Sequence, residues 1–115
     1  MLSMARTINA TLLSEELIDR LRRLGQRVRD ARVHRRLRQI DLAKKSGLSR
    51  TTIESIERGE ASTSLGAYAH ILWVMGLDRE IDLLADPGLD REGMALVFSS
   101  ADKRVRPRGK IDNDF

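Results

Sequence analysis

The sequence contains no cysteine, which excludes disulfide scaffolds, thiolate zinc sites and cysteine nucleophiles together. Aromatic residues are nearly as scarce, with one Trp, one Tyr and two Phe among 115 residues. Leu, Ile, Val, Ala and Met must therefore build the core, and packed helices suit them better than a β-sandwich. No run approaches the roughly 18 apolar residues of a membrane helix, and the opening Met-Leu-Ser-Met-Ala-Arg lacks the apolar stretch of a signal peptide. The expectation is a cytoplasmic protein with no membrane partner. There is no Gly-rich phosphate loop, no carboxylate pairing and no Ser/His/Asp order that suggests catalysis. His34 and His70 stand without acidic partners at ligand spacing. No enzyme activity, metal or cofactor is expected.

What is present is charge, unevenly spread. The net +4 identifies no partner by itself, but nine Arg and one acid fall between Arg20 and Arg38, and five bases and no acid between Lys103 and Lys110. Seven acids face two bases from Gly76 to Asp102. A basic first half beside an acidic connector predicts a polyanion-binding surface, with a basic tail placed to add to it. The length suits one domain.

Residues 1–13 carry no helical period, although Ile8, Ala10 and Leu12 alternate with polar residues as an edge strand does; a frayed arm is the preferred reading. Ser14 before Glu15 and Glu16 predicts a helix start. Leu17, Leu21, Leu24, Val28 and Ala31 then line one face to about Arg35, with Gly25 marking a break between a leading helix and the first helix of the core. Shorter helices are predicted over 39–46, ended by Gly47, and over 50–58, capped by Ser49 and ended by Gly59. Another starts at Ser64 and carries Leu65, Tyr68, Leu72 and Met75 on one side, and a fifth spans 78–85 before Pro87-Gly88. Residues 94–98 read as a short strand or one helical turn, and 104–115 as disordered.

The window from Gln39 to Arg58, QIDLAKKSGLSRTTIESIER, carries function. Two helices of about eight residues joined by Gly47-Leu48 must cross steeply and touch. Ala43 supplies the small residue at the crossing, Gly47 the tight turn, and Leu42, Leu48, Ile53 and Ile56 the buried contacts. This is a helix-turn-helix pattern. With its flanks, Leu24-Gly-x-x-Val-Arg-x-Ala-Arg32, Gln39-x-x-Leu-Ala43, Gly47-Leu-Ser-Arg-x-Thr-Ile53 and Ile56-Glu-Arg-Gly59, the chain resembles the lambda-repressor-like, Xre-type helix-turn-helix regulators over roughly residues 24 to 85. It departs from them at Arg36, where the family has a Gly, and at Thr63, where a Pro is common.

The resemblance implies an all-α, five-helix DNA-binding domain over 14–86. An N-terminal arm (1–13) and a leading helix segment precede it, and a C-terminal extension (87–115) with a basic tail, able to add a strand, follows it. It implies that the helix after Ser49 enters the major groove with Arg50, Thr51, Thr52 and Ser55 exposed. Arg50 is suited to forking onto guanine, and Ser49 is a cap first and a contact second. Gln39 matches the family's phosphate-contacting glutamine. Arg38 and Arg58 complete the DNA-binding set, and Arg32 and Glu57 form a structural ion pair. The expected function is a repressor of double-stranded operator DNA, homodimeric because one such helix specifies too few base pairs, and nucleoid-associated. The short tailed form resembles HipB-like antitoxins that accompany HipA-like kinase toxins. A plain phage-type or housekeeping repressor, or a module that sequesters a partner protein, remain the alternatives.

Overall fold

Ser14 is extended and its hydroxyl accepts the backbone N–H of Leu17 at 3.1 Å, with Glu15 and Glu16 in the turn that follows. Helix α1 begins there because the unpaired amides meet both an acceptor and negative charge. In the computed structural model, which describes residues 12–103, α1 spans Glu15–His34. It is followed by α2 (Gln39–Ser46), α3 (Arg50–Arg58) and α4 (Leu65–Val74), 3₁₀ segments at Asp78–Leu83 and Pro87–Leu89, and α5 (Arg91–Lys103). The described residues hold no strand, and no described helix is long and apolar enough to cross a membrane. The arm up to Thr11 and the basic stretch beyond Lys103 lie outside the described residues.

The predicted break at Gly25 is absent, and α1 runs through it as one helix. The glycine serves packing instead. A Cβ on Gly25 would lie 2.6 to 2.7 Å from the carbonyls of Glu57 and Ile56 and the amide of Gly59, so α1 and α3 cross here backbone to backbone. Gly59 faces the same crossing from α3 with a left-handed φ of 71°, and a Cβ there would collide with the Leu21 carbonyl. Because the close approach is in space, helix propensity along the chain does not reveal it.

Val28, Leu42, Ile53, Ile56, Ile71 and Met75 form the core, with Ala31, Leu37, Ala43, Leu48, Tyr68 and Leu72 packed around them. Two apolar faces sit differently from their periodicity. On α1, Leu17 and Leu24 are exposed and only Val28 is fully covered; on α4, Leu65 is exposed and Ile71 takes the central position. Burial pushes the Tyr68 hydroxyl up to about 12.

Helix α1 ends through Arg36, whose φ of 59° is the left-handed geometry a glycine adopts without cost. A left-handed turn is thus made here by a residue other than glycine. Arg36→Gly is expected to stabilise the DNA-free protein by up to about 1 kcal/mol, read as a raised melting temperature. An unchanged or lower value would show that the arginine side chain compensates. Thr63, at the other departure, donates its backbone N–H to the Glu60 carbonyl at 3.1 Å, a bond proline lacks the hydrogen to make.

The chain divides into two compact units between Ile81 and Asp82. The helix expected over 78–85 is a 3₁₀ segment, Asp78–Leu83, followed by Ala85 with a φ of 55°. In the second unit the stretch read as strand or single turn is part of α5, thirteen residues long. Asp90 makes the difference: its carboxylate accepts the Gly93 N–H at 3.0 Å and its carbonyl the Met94 N–H at 3.0 Å, starting a helix that Glu92, Met94, Ala95 and Leu96 favour. A lone five-residue strand would have no ladder partner. Leu96, Val97 and Phe98 are exposed on α5.

Candidate nucleic-acid interface

Gly47, with φ 78°, closes α2, and Leu48 leads into Ser49, whose hydroxyl accepts the Thr52 N–H at 3.1 Å to open α3. Ile53, Ile56 and Glu57 are buried on one side of α3. At about 100° per residue this turns Thr51, Glu54, Ser55 and Arg58 outward, while Arg50, two turns before buried Glu57, is open because it is the first residue of the helix. Arg50, Thr51 and Arg58 are exposed, and Glu54 and Ser55 half-buried. Thr52 is half-buried as well, and its hydroxyl lies 3.0 Å from that of Ser49, so it also takes part in the cap. Arg50 and Arg58 stand at opposite ends of α3, about 12 Å apart along its axis.

Behind this surface a polar cluster fixes α3. Arg32 Nε donates to Glu57 Oε2 at 2.6 Å and Nη2 to Oε1 at 3.0 Å, a bidentate pair with both side chains under one tenth exposed. Arg32 Nη1 donates to the Leu37 carbonyl at 2.8 Å, and Gln39 Nε2 to Glu57 Oε1 at 3.1 Å. One carboxylate thus joins α1, α2 and α3. Gln39 therefore has a structural bond in addition to the phosphate role its position implied, with one amide hydrogen left over. The sequence shows no trace of this link, since Gln39 and Glu57 stand eighteen residues apart.

Each expected DNA-binding arginine has a carboxylate beside it. Arg38 donates from Nε and Nη2 to Asp41 at 3.0 Å each, while Asp41 also accepts the Arg38 backbone N–H at 2.8 Å. These bonds hold the Asp41 carboxyl down at about 2. Arg58 Nε meets Glu60 Oε2 at 2.8 Å, which holds Glu60 below the usual carboxylate range. Arg50 Nε lies 3.4 Å from Glu54 Oε2. The pairing of these acids with the arginines was not drawn from the sequence, although the four-residue step from Arg50 to Glu54 was legible.

His70 Nε2 lies 2.8 Å from the Ser46 carbonyl at the end of α2, and its ring stacks on exposed Trp73 with centroids 5.9 Å apart and planes 17° apart. No three His, Asp or Glu side chains among the described residues are grouped to hold a metal.

Comparison with known proteins agrees with this architecture. The model of a helix-turn-helix domain family matches residues 23–84, just over half of the chain. The immunity repressor protein of Bacillus phage phi105 is 29% identical over 85 residues, covering 74% of this chain and 58% of that protein. The ImmF control region 10 kDa protein of the same phage is 32% identical over 76 residues, covering 61% of this chain and 84% of that protein. The chain therefore spans less than two thirds of the immunity repressor's length. Two short helices joined at Gly47-Leu48, a Ser49-capped α3 with one face locked in the core, and a family match that encloses all of α2, α3 and α4 agree: the chain belongs to the helix-turn-helix domain family, in its lambda-repressor-like, Xre-type form.

Proposed function

We propose that the chain is a transcriptional repressor that binds double-stranded operator DNA as a homodimer, with residues 14–86 as the DNA-binding domain and 87–115 as an extension to it. The observation that carries this reading is the outward, N-terminal end of α3. Arg50 is 63% exposed there beside exposed Thr51, on a helix whose opposite face is fixed by Ile53, Ile56 and the Arg32–Glu57 pair. A guanidinium suits guanine O6 and N7, and a threonine methyl suits the methyl of thymine. Gln39 at the start of α2 has an amide hydrogen to give a phosphate, beside the backbone amides of that helix end. A single recognition helix reads only a few base pairs, which favours two copies on a two-fold site.

Between a phage-type repressor and an autoregulating antitoxin, the likeness to two phage proteins, one of them an immunity repressor, supports the former. The antitoxin reading draws on one observation, the exposed Leu96, Val97 and Phe98 of α5, which offer an apolar contact to a toxin. Selection from a random duplex pool, followed by footprinting on the selected sequence, tests the DNA-binding reading. The expected result is a palindrome with half-sites about one helical turn, roughly 10 base pairs, apart. Recovery of no motif would overturn it.

Contacts that read and contacts that position respond differently to substitution. Arg50→Ala is expected to cost about 1 to 3 kcal/mol on the selected operator and much less on random DNA. Gln39→Ala is expected to weaken both DNAs by similar amounts, since a phosphate carries no base identity. Its melting temperature is measured alongside, because the variant also removes a donor from Glu57. Equal losses on both DNAs for Arg50→Ala would assign Arg50 to the backbone and leave the reading to Thr51 and Ser55.

A further inference from the structure

The three arginine–carboxylate pairs on this surface differ in how tightly the guanidinium is held and where it stands. Arg38 commits Nε and Nη2 to Asp41, so one edge of its fork is already occupied. Arg58 donates from Nε to Glu60 at 2.8 Å, at the far end of α3 beyond the turn at Gly59. Arg50 Nε lies 3.4 Å from Glu54 Oε2, one helical turn away, the loosest of the three pairs, at the end of α3 that reaches base edges and with both terminal nitrogens available. Those two nitrogens are what a guanine O6 and N7 accept from. Glu54 is also the one acid on the outward arc of α3, since Glu57 is buried with Arg32. A carboxylate facing the groove is repelled by the phosphates of any sequence. The base edge that compensates it is the N4 amino group of cytosine.

We infer that Glu54 is a specificity-determining residue: its carboxylate stands beside Arg50 Nε, with the terminal nitrogens of Arg50 free for a guanine, and accepts from the amino group of a cytosine beside that guanine. The inference rests on the DNA-reading role of α3 proposed above. Glu54 weakens binding to random DNA and so widens the margin by which the operator is preferred. Arg50 supplies the attraction; Glu54 supplies the discrimination against sites that lack the cytosine.

The test uses the full chain and its Glu54→Gln, Glu54→Ala and Arg50→Ala/Glu54→Gln variants. Binding is measured on the operator selected by the unsubstituted protein, on operators changed one base pair at a time, and on random duplex, at one salt concentration. Glu54→Gln and Glu54→Ala are expected to bind random duplex roughly fivefold more tightly, as one repulsive charge is lost. Their preference for the operator over random duplex is expected to fall roughly tenfold, with tolerance appearing at one cytosine position. In the double variant the loss is expected to be smaller than the sum of the single losses, because the two side chains act together. The Glu54 side chain is 36% exposed, so melting temperatures near that of the unsubstituted protein are expected and confirm that each variant is folded. An unchanged operator preference in both single variants would overturn the inference and make the pair an ordinary helix-surface contact, while the DNA-reading role would stand. Failure of the unsubstituted protein to select any motif would overturn that role and this inference with it.

Discussion

Arg32→Ala is expected to lower the stability of the protein by about 3 to 5 kcal/mol, the range observed when one partner of a buried ion pair is removed. The substitution takes two donors from Glu57 at once and a third from the Leu37 carbonyl, leaving the carboxylate, in a site under one tenth exposed, with Gln39 as its remaining side-chain donor. At roughly 4 °C or more per kcal/mol for a domain of this size, the melting temperature should fall by more than about 10 °C. DNA binding should be lost in step with folding rather than ahead of it. The double variant Arg32→Met/Glu57→Met is expected to recover a good part of the loss, because no unpaired charge then remains inside. A single variant that melts like the unsubstituted protein would mean that water reaches Glu57.

Gly25→Ala is the second large effect, and its sign is the point of interest. In the middle of a long helix, replacing glycine by alanine ordinarily stabilises by about 1 kcal/mol. Here the new methyl would lie 2.6 to 2.7 Å from three backbone atoms of the α3 end, at Ile56, Glu57 and Gly59. No rotamer change relieves a clash with backbone, so α1 and α3 must move apart and the core residues Val28, Ile53 and Ile56 lose contact. The expected result is destabilisation by about 3 kcal/mol or more, the upper end of what overpacking costs, measured by denaturant titration. A gain in stability would place the crossing elsewhere and revive a propensity-only account of Gly25. Gly66 provides a control for crowding, since a Cβ there meets nothing within 4 Å.

The two glycines of the α1–α3 crossing separate what is local from what is not. Ser14, Ser49 and Ser64 open helices and Gly47 and Gly59 close them through atoms three or four residues away, so the sequence by itself determined the start of α1, the helices α2 through α4 and the helix-turn-helix joint. Leu42, Ile53 and Ile56 were legible as core because the joint is too short to permit any other inward face. The outward placement of Thr51 follows from that same constraint, and that of Arg50 from its place as the first residue of α3.

Tertiary structure decided the rest. Whether Gly25 breaks α1 or seats α3 depends on a neighbour more than thirty residues along the chain, and so does the joining of Gln39 to Glu57 across eighteen. The covering of Ile71 in place of Leu65 follows from how α4 packs, because α4 is apolar almost all round and has no polar face to orient it. Residues 94–98 became helix rather than strand because Asp90 supplied a cap, and the described residues hold no strand to pair with. Hydrogen-bond reach along one chain segment is fixed by the order of residues, whereas contact between segments depends on three-dimensional distances that periodicity does not encode.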